Sequence, residues 1–159
     1  MNEQLTVSRS MHHSFLGLHV ADRKMVIWDD GKGKFSCTTL ENTALALRNV
    51  LLKPAETANR LVRVSDFAVS QVELLEAIEN LSGEKWTTET VSSEAIIKDA
   101  KERLAEGDVF AVYKLIETGF VTGAYGGYLE ADGPLDNELL GLPPRTLDEV
   151  VKGSLESFN

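Results

Sequence analysis

The sequence predicts an α/β fold of short strands and about five helices in one unit. Three observations predict it. Short β-forming runs, KMVIW, RLVRV and WTTETV, alternate along the chain with longer segments of helical apolar spacing. Three of those segments open on a Ser or Thr followed three residues later by Glu, the spacing of a capping box. Finally, 159 residues at 43% hydrophobic and 26% charged can close one core without a metal or disulfide staple.

Residues 1–13 are polar and aperiodic and read as a leader, so the domain spans 14–159. KMVIW, beginning at Lys24, has the continuous apolar character of a buried strand. DDGKGK supplies turn chemistry before the extended piece FSCT, which predicts a hairpin. Thr38 and Glu41 then open a helix on which Leu40, Ala44, Leu47 and Leu51 recur until Lys53-Pro54 stops it. Because Leu45, Ala46, Val50 and Leu52 are also apolar, this helix is expected to be covered on most sides. RLVRV at residues 60–64 reads as the next strand, giving the strand, helix, strand order of a crossover unit.

Ser70 and Glu73 open a second helix through Leu74, Leu75, Ile78 and Leu81, stopped by Ser82-Gly83. WTTETV alternates and suits an edge strand. Ser92 or Ser93 caps a helix carrying Ile96, Ala100 and Leu104, with Gly107 as its stop. After Asp108 a helical portion is expected to about Glu117, and the glycines from Gly119 onward argue against continuing it. Thr146 and Glu149 open the last helix through Leu147, Val150, Val151 and Leu155.

The formal charge of −9 lacks the clustered Lys and Arg needed to release counterions from a phosphate backbone, so nucleic acid is not an expected partner. No apolar run is long enough to span a bilayer, and Cys37 stands alone with no partner for a bridge; a cytoplasmic protein is expected. His12, His13 and His19 lack the spacing of zinc ligands, and Asp29-Asp30 cannot supply alternating calcium ligands, so no metal site is predicted. The G-x-G within DDGKGK has Ser36 where a third glycine of a dinucleotide loop would stand, and reads as a turn. Cys37 reads as a buried thiol, and Arg60 and Arg63 as structural cations.

The segment FAVYKLIETGFVTGAYGGYLE is different, because it sets aromatic rings among glycines. Such rings suit an adaptable ligand pocket or ordinary core filling, and both readings stand at this point. The candidate pocket residues are Phe15, Phe110, Tyr113, Phe120 and Tyr125, with Tyr128 nearby. A buried tyrosine hydroxyl needs a partner, which makes Tyr113 and Tyr125 the candidates for holding a ligand's polar end.

Taken in order, FLGLHVADRKMVIWDDGKGKFSCTTLENTALALRNVLLKP, NRLVRVSDFAVSQVELLEAIENLSGEKW, VSSEAIIKDAKERLAEGD and GGYLEADGPLDNELLG resemble the C-terminal part of fungal NmrA-like or isoflavone-reductase-like proteins, from about Phe15 to Leu155. Those proteins are atypical short-chain dehydrogenase relatives of about twice this length. Their N-terminal Rossmann half binds NADP or NAD, and their C-terminal half shapes the substrate pocket. The resemblance therefore implies a partial NAD(P)-binding Rossmann-like fold, the substrate-domain portion without its nucleotide-binding half.

No position here matches the family's glycine-rich phosphate loop or its active-site lysine, so no catalytic or cofactor-binding residue is carried over. NADP or NAD belongs to the full-length relatives, and no cofactor is expected for this chain alone. The implied function is the substrate-binding portion of an NAD(P)-dependent oxidoreductase, not catalytic alone, taking a small apolar or aromatic ligand. The alternatives are a non-enzymatic, redox-sensing or regulatory binding module, which a basic recognition patch or an unsatisfied apolar stripe on a surface helix would favour, neither being evident in the sequence, and a truncated product without a native role. Because KMVIW and RLVRV are apolar on both sides, self-association through an exposed sheet edge, or marginal stability of the isolated chain, is also expected.

Overall fold

The computed structural model describes residues 15–124 and 126–156; the leader at 1–13 and the candidate Tyr125 lie outside them. Among the described residues there are five short strands, seven α-helices, two of them single turns, and three 3-10 turns. The strands are β1 (Leu18–His19), β2 (Lys24–Trp28), β3 (Phe35–Cys37), β4 (Phe67–Val69) and β5 (Thr87–Val91). The helices are α1 (Leu40–Leu52), α2 (Pro54–Thr57), α3 (Gln71–Ser82), α4 (Ser93–Ala105), α5 (Val112–Val121), α6 (Leu129–Asp132) and α7 (Leu147–Glu156).

The strands form two sheets. One has the order β1-β2-β5, with β1 antiparallel to β2 and β5 parallel to it; the other pairs β3 with β4 antiparallel. The expected hairpin is thus not formed, since β2 and β3 belong to different sheets. The turn after β2 reverses the chain, but a turn does not choose which strands pair. The crossover is real and lies elsewhere: the parallel pair is β2 with β5, and everything from Asp29 to Trp86 connects them.

RLVRV is not a strand; the second strand of that region is β4, three residues further on. α1 is capped by Thr39, whose hydroxyl accepts the Asn42 N–H at 3.1 Å, and not by Thr38. Asp66 reinforces this start, its carboxylate accepting the Thr39 N–H at 2.7 Å and the Asn42 side-chain amide at 2.6 Å. Nor is α1 covered on most sides. It buries Ala46 against Leu140 and Leu142 and bonds the buried Asn42 amide to the Pro143 carbonyl at 2.9 Å, while Leu47 is 64% and Leu51 72% exposed. Leu40, Ala44, Leu47 and Leu51 form a bare apolar stripe.

The other helix starts follow local chemistry. Ser70 and Glu73 complete a capping box on α3, Ser92 caps α4, and Thr146 and Glu149 exchange backbone bonds at the start of α7. α5 runs four residues beyond Glu117 and passes through Gly119. The main core gathers Leu16, Leu18, Met25, Trp28, Phe35, Val69, Leu74, Ile78, Val121, Val150 and Val151, so both sheets and helices α3, α5 and α7 close on one apolar centre.

Glu73 couples the α3 cap to the loop before β3. Lys34 donates to its carboxylate, and the Ser70 N–H does so at 2.8 Å. The Lys34 ammonium, first, and the Ser70 donors hold Glu73 below its ordinary value of 4.5 despite some opposing burial. A carboxyl lowered on folding contributes stability that is present above its unfolded pKa and is lost as pH falls through the folded one. Denaturant midpoints of the wild-type protein are therefore expected to fall as pH drops below about 4.5, and those of Glu73→Gln to fall less steeply over the same window. Parallel curves would remove Glu73 from the acid transition.

Candidate functional site

Two concavities compete for the role. A broad groove of about 690 Å³ is bordered by Asp22, Arg23, Glu84, Lys152 and Glu156, with Arg23 and Glu84 paired at 2.6 Å. A smaller cavity of about 380 Å³ is walled by Ser36, Leu115, Ile116, Gly119, Phe120, Gly126, Gly127 and Leu129. The second is the smaller and has the more apolar wall, the lining expected of a small-molecule site.

β3 builds its floor. The Ser36 N–H donates to the Gly127 carbonyl at 2.7 Å, and the Ser36 hydroxyl accepts the Leu129 N–H at 2.8 Å while donating to Glu130. Ser65 donates to the other oxygen of Glu130 at 2.7 Å. The segment from Gly127 to Glu130 is thereby latched to β3, which sets the glycine-lined side of the cavity. Phe120 lies against Gly127 and packs on Phe35, ring centroids 5.1 Å apart at 41°.

α5 is fixed through its inner face. The Trp28 indole donates to Thr118 at 3.0 Å; Glu117, 3% exposed, accepts the Gly17 N–H at 3.2 Å and the Lys114 ammonium at 2.7 Å. Lys114 also stands 5.6 Å above the Trp28 ring. These tertiary bonds outweigh the helix propensity lost at Gly119, about 1 kcal/mol, which is why α5 continues past it. With the inner face so committed, the outer face is bare: Phe110 is 72% and Tyr113 63% exposed, their rings stacked 6.5 Å apart, and Ile116 reaches from this surface into the cavity.

Of the residues singled out by sequence, Phe120 lines the cavity. Phe110 and Tyr113 lie outside its wall, on the exposed surface of α5 and the turn before it, and Phe15 is half-buried against the main core. The cavity residues not among those candidates are Ser36, Leu115, Ile116, Gly119, Gly126, Gly127 and Leu129. For the three on α5 the signal was the i, i+1, i+4, i+5 spacing of Leu115, Ile116, Gly119 and Phe120, which puts them on one helix face.

The chemistry of this wall is that of holding. Ser36 has both its donor and an acceptor position committed, and burial, ahead of the nearby Glu130 and Asp66 charges, pushes the Cys37 thiol up to about 12. Among the described residues no three His, Cys, Asp or Glu side chains gather as a metal site, and no helix is long and apolar enough to cross a membrane. The glycine turn before β3 does not fit a pyrophosphate. A Cβ on Gly33 would lie 2.4 Å from the Thr122 carbonyl oxygen, so its open face is filled by protein backbone, and by an oxygen that would repel an anion.

No family model matches the chain. It is 31% identical over 144 residues to the oxidoreductase aprR of Aspergillus flavus, covering 90% of this chain and 48% of that protein. It is 31% identical over 146 residues to the oxidoreductase poxI of Penicillium oxalicum, covering 89% and 46%. Among solved structures it is similar to a Staphylococcus aureus nucleoside-diphosphate-sugar epimerase at a TM-score of 0.60 and 20% identity, over 92% of this chain and 47% of that one. It is also similar to the Citrobacter sp. triphenylmethane reductase at 0.58 and 25%, over 86% and 46%; another structure of that reductase is complexed with NADP(H). The chain spans about half the length of the curated relatives it matches. It is thus related to fungal oxidoreductases over nine-tenths of its own length, and its fold is a partial Rossmann-like α/β fold, as the NmrA-like resemblance implies.

Proposed function

We propose that residues 14–159 are the substrate-binding portion of an NmrA-like, isoflavone-reductase-like NAD(P)-dependent oxidoreductase, not catalytic alone, and that the cavity beside α5 takes a small apolar or aromatic ligand. The observation that carries this reading is the apolar wall of Leu115, Ile116, Phe120 and Leu129, open to solvent next to a bare aromatic surface. The oxidoreductase relatives and the NADP(H) complex of a structural neighbour support it. The wall contributes shape and water exclusion; its polar groups are spent on the protein's own backbone and on Glu130.

Calorimetric titration with a neutral aromatic such as 2-naphthol tests it. The wild-type chain is expected to bind, and Ile116→Glu, which sets a charge at the half-exposed mouth, to weaken binding at least about tenfold, or 1.4 kcal/mol. NADPH added to the chain alone is expected to give no stoichiometric tight binding. Tight NADPH uptake, or naphthol binding indifferent to Ile116→Glu, would overturn the reading.

The bare stripe on α1 favours a second reading, a regulatory module that docks a partner through Leu40, Ala44, Leu47 and Leu51. Leu47→Glu would then abolish partner binding and leave naphthol binding unchanged.

A further inference from the structure

The groove of about 690 Å³ shares no lining residue with the cavity beside α5. Three elements build it: the turn between β1 and β2, the end of α3 with the approach to β5, and the last turn of α7. Its apolar surface is Val20, Trp86 and Leu155, each partly buried against the main core, with Leu81 beside them 40% exposed. Backbone bonds hold the rim. The Arg23 N–H closes the turn on the Val20 carbonyl at 3.1 Å, the Thr87 N–H ties the Arg23 carbonyl to β5 at 2.9 Å, and Glu79 accepts the Trp86 N–H at 2.9 Å. The concavity is thus set by the fold, and its volume lies in the roughly 300–1,000 Å³ range of small-molecule sites.

The charges around the groove do not cancel. Arg23 is spent on Glu84 at 2.6 Å. Lys152, Asp22 and Glu156 remain; all three are exposed, and among the described residues none of them has an ion pair. Lys152 precedes Glu156 by one helical turn, the less favourable order for a pair, and can neutralise at most one of the two acids. Two carboxylates against one ammonium leave the groove negative, in a chain whose formal charge is −9. Such a surface suits a cation: the carboxylates and the field of the whole chain attract the charge, an indole ring adds its quadrupole, and the apolar surface receives the rest of the ligand. An anion would meet a single ammonium among acids.

We infer that this groove is a second ligand site, taking a small organic cation with an apolar or aromatic body, such as an aryl quaternary ammonium. Trp86 and the Asp22 and Glu156 carboxylates select the charge, while Val20, Leu81 and Leu155 hold the body. The site uses no residue of the cavity beside α5 and does not depend on the oxidoreductase reading.

Three naphthalenes that differ in charge test it: the 2-naphthyltrimethylammonium cation, neutral 2-naphthol and the 2-naphthalenesulfonate anion, each titrated into the full chain with NMR shifts read alongside calorimetry. The cation is expected to shift the Trp86 indole and the Asp22 and Arg23 amides, and to bind there at least about tenfold more tightly than the sulfonate. Asp22→Asn/Glu156→Gln removes only exposed charge and is expected to cut that preference at least about threefold, as is added salt. Trp86→Leu is expected to weaken the cation about fivefold, and Trp86→Phe, which keeps a ring, to weaken it less. The carboxylate pair decides the matter where Trp86→Leu unfolds. Ile116→Glu, at the mouth of the other cavity, is expected to leave the Trp86 shifts as they are. Four results would each overturn the inference: no saturable binding of the cation below about 10 mM, sulfonate or naphthol filling the Trp86 groove as tightly, a preference that survives both salt and loss of the carboxylates, and cation shifts confined to Leu115, Ile116 and Phe120.

Discussion

Replacing Gln71 with leucine is expected to lower the unfolding free energy by about 3–5 kcal/mol and the thermal midpoint by roughly 10–15 °C. β1 has only two residues and pairs with β2 at Met25 and Lys24, so among the described residues that side of β2 has no strand beside it beyond Met25. Gln71, fully buried at the start of α3, fills the place. Its Oε1 accepts the Trp28 N–H at 2.9 Å, and its Nε2 donates to the Val26 carbonyl at 2.9 Å and the Leu16 carbonyl at 3.0 Å. Leucine keeps the volume and leaves three backbone groups without partners, each costing about 1–3 kcal/mol before relaxation. Against a typical total of about 5–15 kcal/mol this is a large share. Glu76→Leu, an exposed position on the same helix, is the control and should stay within about 0.5 kcal/mol of wild type. A Gln71→Leu cost equal to the control would show that water or a shift of β2 replaces the amide.

The same residue shows where sequence reading stops. Ser70 and Glu73 were readable because a capping box is local, and the starts of α4 and α7 were readable for the same reason. Gln71 sits beside that box as an ordinary polar residue, and its value depends on a strand 43 positions away. RLVRV failed in the opposite sense. Its composition is that of a strand, but a ladder needs a neighbouring strand, and among the described residues this run meets loop groups of Asp136 and Asn137 and the Thr38 hydroxyl instead. On α1 the apolar positions cover two faces, and periodicity cannot say which one meets Leu140 and Leu142. The cavity was legible in part, because rings among glycines marked the right segment and Phe120 does line the wall. Leu115, Ile116 and Leu129 are aliphatic residues of a kind found throughout the core, and nothing in their chemistry sets them apart before the chain is folded.

Gly33→Ala is expected to cost about 2–4 kcal/mol, a loss comparable with a core truncation although only a methyl group is added. The new Cβ would lie 2.4 Å from the Thr122 carbonyl oxygen and 2.7 Å from that of Val121, and these are backbone atoms of the end of α5, which cannot rotate aside. Gly123 faces the same contact from the other side, its Cβ position 2.5 Å from the Lys34 carbonyl oxygen, and it also holds a φ of +66°. Gly83, at φ +71° with nothing within 4 Å, separates the two causes: Gly83→Ala carries strain alone and should cost about 1 kcal/mol. Because Gly33 and Gly123 oppose each other across one seam, opening it once accommodates both methyls. The Gly33→Ala/Gly123→Ala double variant is therefore expected to lose less than the two singles together by at least about 1 kcal/mol. The seam also anchors the end of the helix that carries Phe120 and Ile116, so Gly33→Ala should weaken naphthol binding while Gly83→Ala does not. Denaturant unfolding of the four variants with parallel titrations decides it; strict additivity, or equal costs at Gly33 and Gly83, would mean that these glycines serve turn conformation alone.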